Sequence, residues 1–306
     1  MPLYRVASTL CVLAMLDLPP ALCAQDLCAQ EPATPATPAA KAAQDAGTPA
    51  ERFAAVKADH EKAMKAFETA YHAAKNEEAQ MQILRELLPK PEPFVARMIT
   101  IAKASPQDPA AAECLAWALD NGRDETQAAS ILQALQQDHL GSPKLGDVCE
   151  TLRGGGVKND ETFLRAVLEK SPHQQVRAQA CYVLGLHRTD NAALARTVQS
   201  GDDTERVKRL TDYYGAEWLA AMQKADAKAL QSEGEALLER VLAEFGDVVM
   251  PGGTMGDRAK ADLFEMRNLA IGKLAPEIQG KDLDGVEFKL SDYRGKVVFL
   301  DFWGFW

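Results

Sequence analysis

Asn159-Asp160-Glu161-Thr162-Phe163-Leu164-Arg165-Ala166-Val167-Leu168-Glu169-Lys170-Ser171-Pro172 is the stretch on which the fold reading turns. Asn159 and two acids open a helix, and Phe163, Leu164, Val167 and Leu168 recur at helical spacing on one side. Ser171-Pro172 stops it, and a second helix runs through Val176, Ala180, Cys181 and Leu184. Two amphipathic helices joined by a short break form a helix–turn–helix unit. Such units, at about 30 to 40 residues each, are the building blocks of α-solenoids.

The same pattern extends both ways. Upstream, Thr48 is placed to cap a helix with Pro49 at its first position. Phe53, Val56, His60, Ala63, Phe67, Ala70 and Ala74 then form one stripe at alternating spacings of three and four. This first long segment is expected to end at Pro89, Pro91 and Pro93. Shorter helices come next, punctuated by Pro106 and Pro109, Gly122, Gly141 and Pro143, Gly154-Gly155-Gly156 and Gly201. Downstream, helices are expected over roughly Asp226 to Phe245 and Asp257 to Leu269. No tetratricopeptide or HEAT consensus repeats cleanly, so the repeat class stays open. The expected fold is mainly α, with a solenoid-like helical domain over 49–270.

The ends of the chain differ from this middle. Arg5, the apolar run Val6 to Leu16, the break at Pro19-Pro20 and the small residues around Ala24 read as an export signal over 1–24, cleaved near Ala24–Gln25. The run is too short to span about 30 Å of hydrocarbon. Pro20 and Leu22 stand where a lipoprotein signal would want leucine and a small residue, which argues against lipidation of Cys23. Residues 25–48 form an Ala/Pro/Thr tether with Pro32, Pro35 and Pro38. The expected location is exported, periplasmic or extracellular, with no permanent membrane span.

Composition excludes several functions. The formal net charge of −10 provides no attraction for phosphate backbones and argues against nucleic acid as a partner. His60, His72, His139, His173 and His187 are scattered, with neither HExxH nor His-x-x-x-His, so no metal and no cofactor is expected. Gly154-Gly155-Gly156-Val157-Lys158-Asn159 and Pro251-Gly252-Gly253-Thr254-Met255-Gly256 both lack the Gly-Lys-Ser/Thr of a phosphate loop. Beyond the signal, Cys28, Cys114, Cys149 and Cys181 lie too far apart for a Cys-x-x-Cys. Cys114, Cys149 and Cys181 read as buried small hydrophobes or as part of an unassigned disulfide, and Cys28 as exposed on the tether.

The C-terminal segment changes period. Ala275-Pro276-Glu277-Ile278 is extended, and Asp284-Gly285 before Glu287-Phe288-Lys289-Leu290 signals a hairpin. Ser291 to Lys296 forms a turn. Val297-Val298-Phe299-Leu300-Asp301-Phe302-Trp303 is a near-continuous apolar run, as in a central strand covered on both faces.

Gly272-Lys273-Leu274-Ala275-Pro276-Glu277-Ile278, Asp282-Leu283-Asp284-Gly285, Leu290-Ser291-Asp292-Tyr293-Arg294-Gly295-Lys296-Val297-Val298 and Leu300-Asp301-Phe302-Trp303 together resemble the opening of the extracytoplasmic TlpA-like thiol-disulfide oxidoreductases. These belong to the wider redoxin (AhpC-TSA) superfamily. The resemblance covers about thirty-five residues. It implies that residues 271–306 hold the first hairpin and first central strand of an incomplete α/β thioredoxin-like domain. In that family the strand ends in Phe-Trp-x-x-Trp, followed at once by the redox Cys-x-x-Cys at a helix N-terminus. Phe302-Trp303-Gly304-Phe305-Trp306 matches the aromatic part, and the cysteines are missing from this chain.

The resemblance assigns Asp301 a proton-shuttling carboxylate beneath the disulfide and places Trp303 and Trp306 around the redox centre. Without the rest of the sheet, Asp301 is expected at an edge or exposed position. Implied partners are disulfide-bearing or dithiol proteins. Disulfide exchange needs a thiolate, so the chain as given is expected to be inactive. The competing reading is a helical-repeat binding or scaffold protein with a vestigial, redox-inactive C-terminus.

Overall fold

Thr48 opens the first helix, α1 (Pro49–Ala73), through a reciprocal cap: its hydroxyl accepts from the Glu51 amide at 3.3 Å, and the Glu51 carboxylate accepts from the Thr48 amide at 2.8 Å. These hydrogen bonds hold the Glu51 carboxyl below its ordinary range. The computed structural model describes residues 47–270, 272–301 and 303. The expected export signal (1–24), Cys28 and nearly all of the tether lie outside the described residues, as does Trp306.

Helices dominate the chain beyond α1. They are α2 (Glu77–Leu87), α3 (Glu92–Ala104), α4 (Pro109–Asn121), α5 (Glu125–Asp138), α6 (Leu145–Thr151), α7 (Asp160–Lys170), α8 (Gln174–Ser200), α9 (Thr204–Tyr214), α10 (Ala216–Lys224), α11 (Ala227–Phe245) and α12 (Met255–Asn268). The α1 stripe buries Val56, His60 and Phe67. His60 is a core histidine, edge-on to the rings of Phe94 at 5.0 Å and Trp117 at 5.2 Å. One expectation fails here. The first segment does not run unbroken to Pro89, because the chain turns at Ala74–Asn76 and the Asn76 carboxamide accepts from the Ala79 amide at 2.8 Å to cap α2.

The pair read from sequence as α7 and α8 is present, and α8 is the hub of the described helices. It packs on α6, α7, α10, α11 and α12. Every residue from Ala178 to Gly185 is buried, so this part of the helix is covered on all sides. Its most extensive contact is with α11. Here two glycines meet. A Cβ on Gly234 would lie 2.6 Å from Thr189 Cγ2 and 2.8 Å from the Gly185 carbonyl oxygen, and one on Gly185 would lie 2.9 Å from Leu238 Cγ. Only hydrogen fits at either position.

Ion pairs lock the same crossing. Arg188 of α8 pairs with Glu161 of α7 and, at 3.1 Å, with Glu233 of α11. Arg165 of α7 closes the ring, 2.9 Å from Glu161 and 2.6 Å from Glu233. On the far side of α11, Arg267 of α12 reaches Glu235 at 3.1 Å and Glu239 at 2.6 Å.

Strand is scarce. A two-residue ribbon, β1 (Val249–Met250) with β2 (Gly253–Thr254), precedes α12, and a hairpin, β3 (Gln279–Lys281) with β4 (Glu287–Lys289), comes after it. Among the described residues the expected central strand is not formed. Val297–Leu300 carries no ladder, since none of the described residues lies beside it as a partner strand.

The glycine crossing yields a stability test. Gly234→Ala forces a methyl group against Thr189 and the Gly185 carbonyl, so it should destabilise the chain by about 1–3 kcal/mol. Gly141→Ala meets nothing within 4 Å and should change stability by less than about 0.5 kcal/mol. Urea unfolding followed by circular dichroism compares the two. Equal midpoints would show that the close approach is not required.

Candidate redox segment and the buried thiols

Backbone chemistry builds the hairpin locally. Gly285 takes a φ of 80°, which side-chain-bearing residues rarely adopt. Just before it, one Asp282 oxygen accepts from the amides of Asp284 and Val286, both at 2.9 Å. Register pairs Gln279 with Lys289, Gly280 with Phe288 and Lys281 with Glu287, whose side chains sit 3.6 Å apart. Beyond β4 the chain makes a 3-10 turn at Leu290–Tyr293, tied back by the Ser291 amide, which donates to Glu277 at 3.0 Å. The Ser291 hydroxyl, and with it this amide, holds the Glu277 carboxyl below its usual range.

The aromatic run is laid bare. Val297 is 102% exposed, Phe299 90% and Trp303 78%. Asp301 is exposed as well. The burial that the resemblance would give its carboxylate is absent here, because no sheet covers it. Asp301 and Trp303 are near neighbours in sequence, with no described thiol beside them, and Trp306 lies outside the described residues. The residues singled out from the sequence therefore do not form a site among the described residues.

Nucleophiles lie elsewhere and are closed off. Cys114, Cys149 and Cys181 are free and buried. Burial pushes Cys114 up to about 12 and Cys181 up to about 11, and raises Cys149 further. The Cys181 thiol donates to the Leu237 carbonyl at 3.4 Å. Each is a thiol at neutral pH, so none is primed for disulfide exchange. This agrees with the buried-hydrophobe reading of these three and gives no disulfide among them.

A polar cluster that the sequence did not signal surrounds the 3-10 turn Leu152–Gly154. The buried His187 donates from Nε2 to the Leu152 carbonyl at 2.7 Å, with Nδ1 3.9 Å from Asp160. Burial raises the Asp160 carboxyl, and the His187 imidazole opposes that rise. Tyr182 donates to Asp262 at 2.7 Å. No group of His, Cys, Asp and Glu among the described residues is arranged to hold a metal ion. Nor is any helix among them long and apolar enough to cross a membrane.

Comparison with known proteins finds short, high-identity matches. The chain is 52% identical over 53 residues to the thiol-disulfide oxidoreductase ResA of Geobacillus thermodenitrificans (strain NG80-2), covering 17% of this chain and 30% of that protein. It is 55% identical over 42 residues to ResA of Geobacillus kaustophilus (strain HTA426), 14% of this chain and 24% of that one. It is 50% identical over 38 residues to ResA of Bacillus thuringiensis subsp. konkukian (strain 97-27), 12% of this chain and 22% of that one. The chain thus spans less than a third of the length of the curated relatives it matches. These matches support a thioredoxin-like thiol-disulfide oxidoreductase family. No protein-family profile and no solved structure matches the chain.

Thiol burial is directly measurable. Iodoacetamide applied to the native chain should leave Cys114, Cys149 and Cys181 unmodified, and all three should react fully in denaturant, as read by peptide mass spectrometry. Rapid native labelling of any of the three would show that burial does not control its reactivity.

Proposed function

We propose that this chain is the leading part of an exported thiol-disulfide oxidoreductase, with a helical domain over 49–270 placed ahead of a thioredoxin-like module that begins near Gly272. The observation that carries the proposal is the 50–55% identity to ResA proteins over 38 to 53 residues. We assign that likeness to the C-terminal hairpin and aromatic run, where the ordered motifs lie. The helical domain is read as solenoid-like because α7 and α8 form a helix–turn–helix unit. Its role is to bind or position a protein partner bearing a disulfide or dithiol.

In this reading Asp301 serves as the proton-shuttling carboxylate, and Trp303 and Trp306 pack around the redox centre, once the module's sheet is complete. Those residues support a cysteine pair and cannot replace one. Disulfide exchange needs two thiols whose Cα atoms lie within roughly 7 Å, one of them an accessible thiolate. The buried thiols of Cys114, Cys149 and Cys181 do not meet that requirement.

The second reading, a helical binding protein with a redox-inactive C-terminus, rests on the predominance of helix and the burial of Cys114, Cys149 and Cys181. Reductant-driven turnover of a disulfide substrate separates the two. The 306-residue chain should give no multiple turnover. The chain continued by its own reading frame should contain Cys-x-x-Cys directly after Trp306 and should turn over. A continued frame without that pair would establish the second reading. Multiple turnovers from the 306-residue chain, lost on mutating Cys114, Cys149 or Cys181, would move the active site into the helices.

A further inference from the structure

The His187 imidazole of α8 reaches both ends of the glycine-rich connector that joins the 3-10 turn to α7. Nε2 lies 2.7 Å from the Leu152 carbonyl ahead of the connector, and Nδ1 lies 3.9 Å from an Asp160 oxygen just after it. Between these points Gly155, Gly156 and Asn159 take φ values of 66°, 88° and 70°, the last uncommon for a residue with a side chain. Asn159 then opens α7 without a side-chain cap. The connector runs over the ring itself, since a Cβ on Gly155 would lie 3.6 Å from Nε2. Tyr214 of α9 covers the next residue, 3.3 Å from where a Gly156 Cβ would stand.

Hydrogen-bond chemistry fixes the state of the ring. A carbonyl oxygen only accepts, so Nε2 carries the hydrogen, and in a neutral ring Nδ1 is left as a lone pair. That lone pair faces a carboxylate oxygen, which also only accepts. Two acceptors then meet with no hydrogen between them, and the ring grips the connector at the Leu152 end alone. One proton taken up from solvent changes this on either partner. An imidazolium donates to the carboxylate, or a carboxylic acid donates to the imidazole. The two side chains are 9% and 17% exposed, so the contact is shielded from water and stronger than a surface pair.

The charges around the ring are otherwise engaged. Glu161 of α7 and Glu233 of α11 are both held by Arg165 and Arg188. Arg153 of the turn lies 3.7 Å from Glu150 of α6, and Asp262 of α12 accepts from Tyr182. Asp190, three residues along α8, is exposed and adds its field from the solvent side. Burial and the Tyr213 and Asp190 charges raise the Tyr214 hydroxyl, so it is a neutral phenol. Asp160 is the carboxylate placed at the free ring nitrogen.

We propose that His187 and Asp160 form a pH-sensitive staple: at acid pH a shared proton joins them and clamps both ends of the connector, and its loss as pH rises frees the Asp160 end. The inference does not rest on the redox reading. Burial raises the Asp160 carboxyl, with the His187 imidazole opposing the rise. The folded chain therefore keeps this proton to a higher pH than the unfolded chain does. Such a group adds stability at acid pH and gives it up as pH climbs beyond the ordinary carboxylate range of about 4.

Amide hydrogen exchange of the full 306-residue chain, resolved by NMR and corrected for intrinsic exchange at each pH, tests the staple. The reporter is the Asp160 amide, which donates to Val157 at 3.1 Å across the end of the connector. Its protection should be about tenfold higher at pH 5 than at pH 8. The Gly122 amide, which donates to Ala118 at the end of α4, should not change. Asp160→Asn should remove the pH dependence and keep the high protection at pH 8, because a carboxamide of the same shape donates to Nδ1 at every pH. Long-range proton–nitrogen spectra of wild-type His187 should place its hydrogen on Nε2 at pH 8. The proposal is overturned if Asp160 is equally protected at both pH values, if Gly122 loses protection in step with it, or if Asp160→Asn keeps the wild-type pH dependence. A His187 hydrogen on Nδ1 at pH 8 overturns it as well. Should Asp160→Asn not fold, the wild-type exchange and the His187 spectra decide.

Discussion

The fold hangs on a place where two helices touch without side chains. A glycine inside a helix costs roughly 0.5–1 kcal/mol relative to alanine, and α8 and α11 each carry one at their crossing. In return, Gly234 sits against the Gly185 carbonyl and Thr189, and Leu238 fills the space beside Gly185. The rest of the register depends on that approach. Glu233, next to Gly234, is brought to Arg188 and Arg165. Glu235 and Glu239 face Arg267 on the next helix. Sliding α11 by one turn would break both sets of pairs and place a Cβ where only hydrogen fits.

The same packing determines what chemistry the helical part can do. Burial that stabilises α8 also removes Cys181 from solvent, and Cys114 and Cys149 are likewise fully covered. A thiol held up near 11 or 12 by burial is a poor nucleophile at neutral pH. His187 spends its Nε2 proton on the Leu152 carbonyl, fixing the turn that leads into the glycine-rich connector. Gly155 and Gly156 in that connector take φ values of 66° and 88°, which bends the chain between the 3-10 turn and α7. The polar groups inside the helices are committed to structure. Function in this part of the chain therefore falls to surfaces and cavities.

Much of the helical architecture is legible in the sequence because its signals are local. Thr48 with Pro49, and Asp226 ahead of α11, announce helix starts through a side-chain oxygen within three residues of the amide it accepts from. The break at Asn76 lacks the proline or glycine that marks the others, and its only signal is a capping Asn followed by Glu77 and Glu78, just past the stripe that ends at Ala74. Gly185 and Gly234 are not legible either. An isolated glycine in a helical pattern looks the same whether it faces solvent or a second backbone, and only the partner helix distinguishes the two.

The C-terminal segment shows where legibility of motif and formation of structure part company. The β3–β4 hairpin closes on itself, since Asp282, Gly285 and the Lys281–Glu287 pair all lie within a few residues of the turn. Val297–Leu300 has no such resources. A strand apolar on both faces is stabilised only by neighbours on either side and layers above and below. Left alone, it exposes Val297, Phe299 and Trp303 in one short stretch, a kind of surface that folded proteins seldom leave contiguous. In the proposed reading Asp301, exposed here, depends on the same kind of cover. Its carboxylate can be desolvated only inside a completed sheet, and a thiolate is activated at the N-terminus of a helix that such a sheet supports. In the proposed thioredoxin-like module, forming the sheet and forming the redox centre would thus be one physical event.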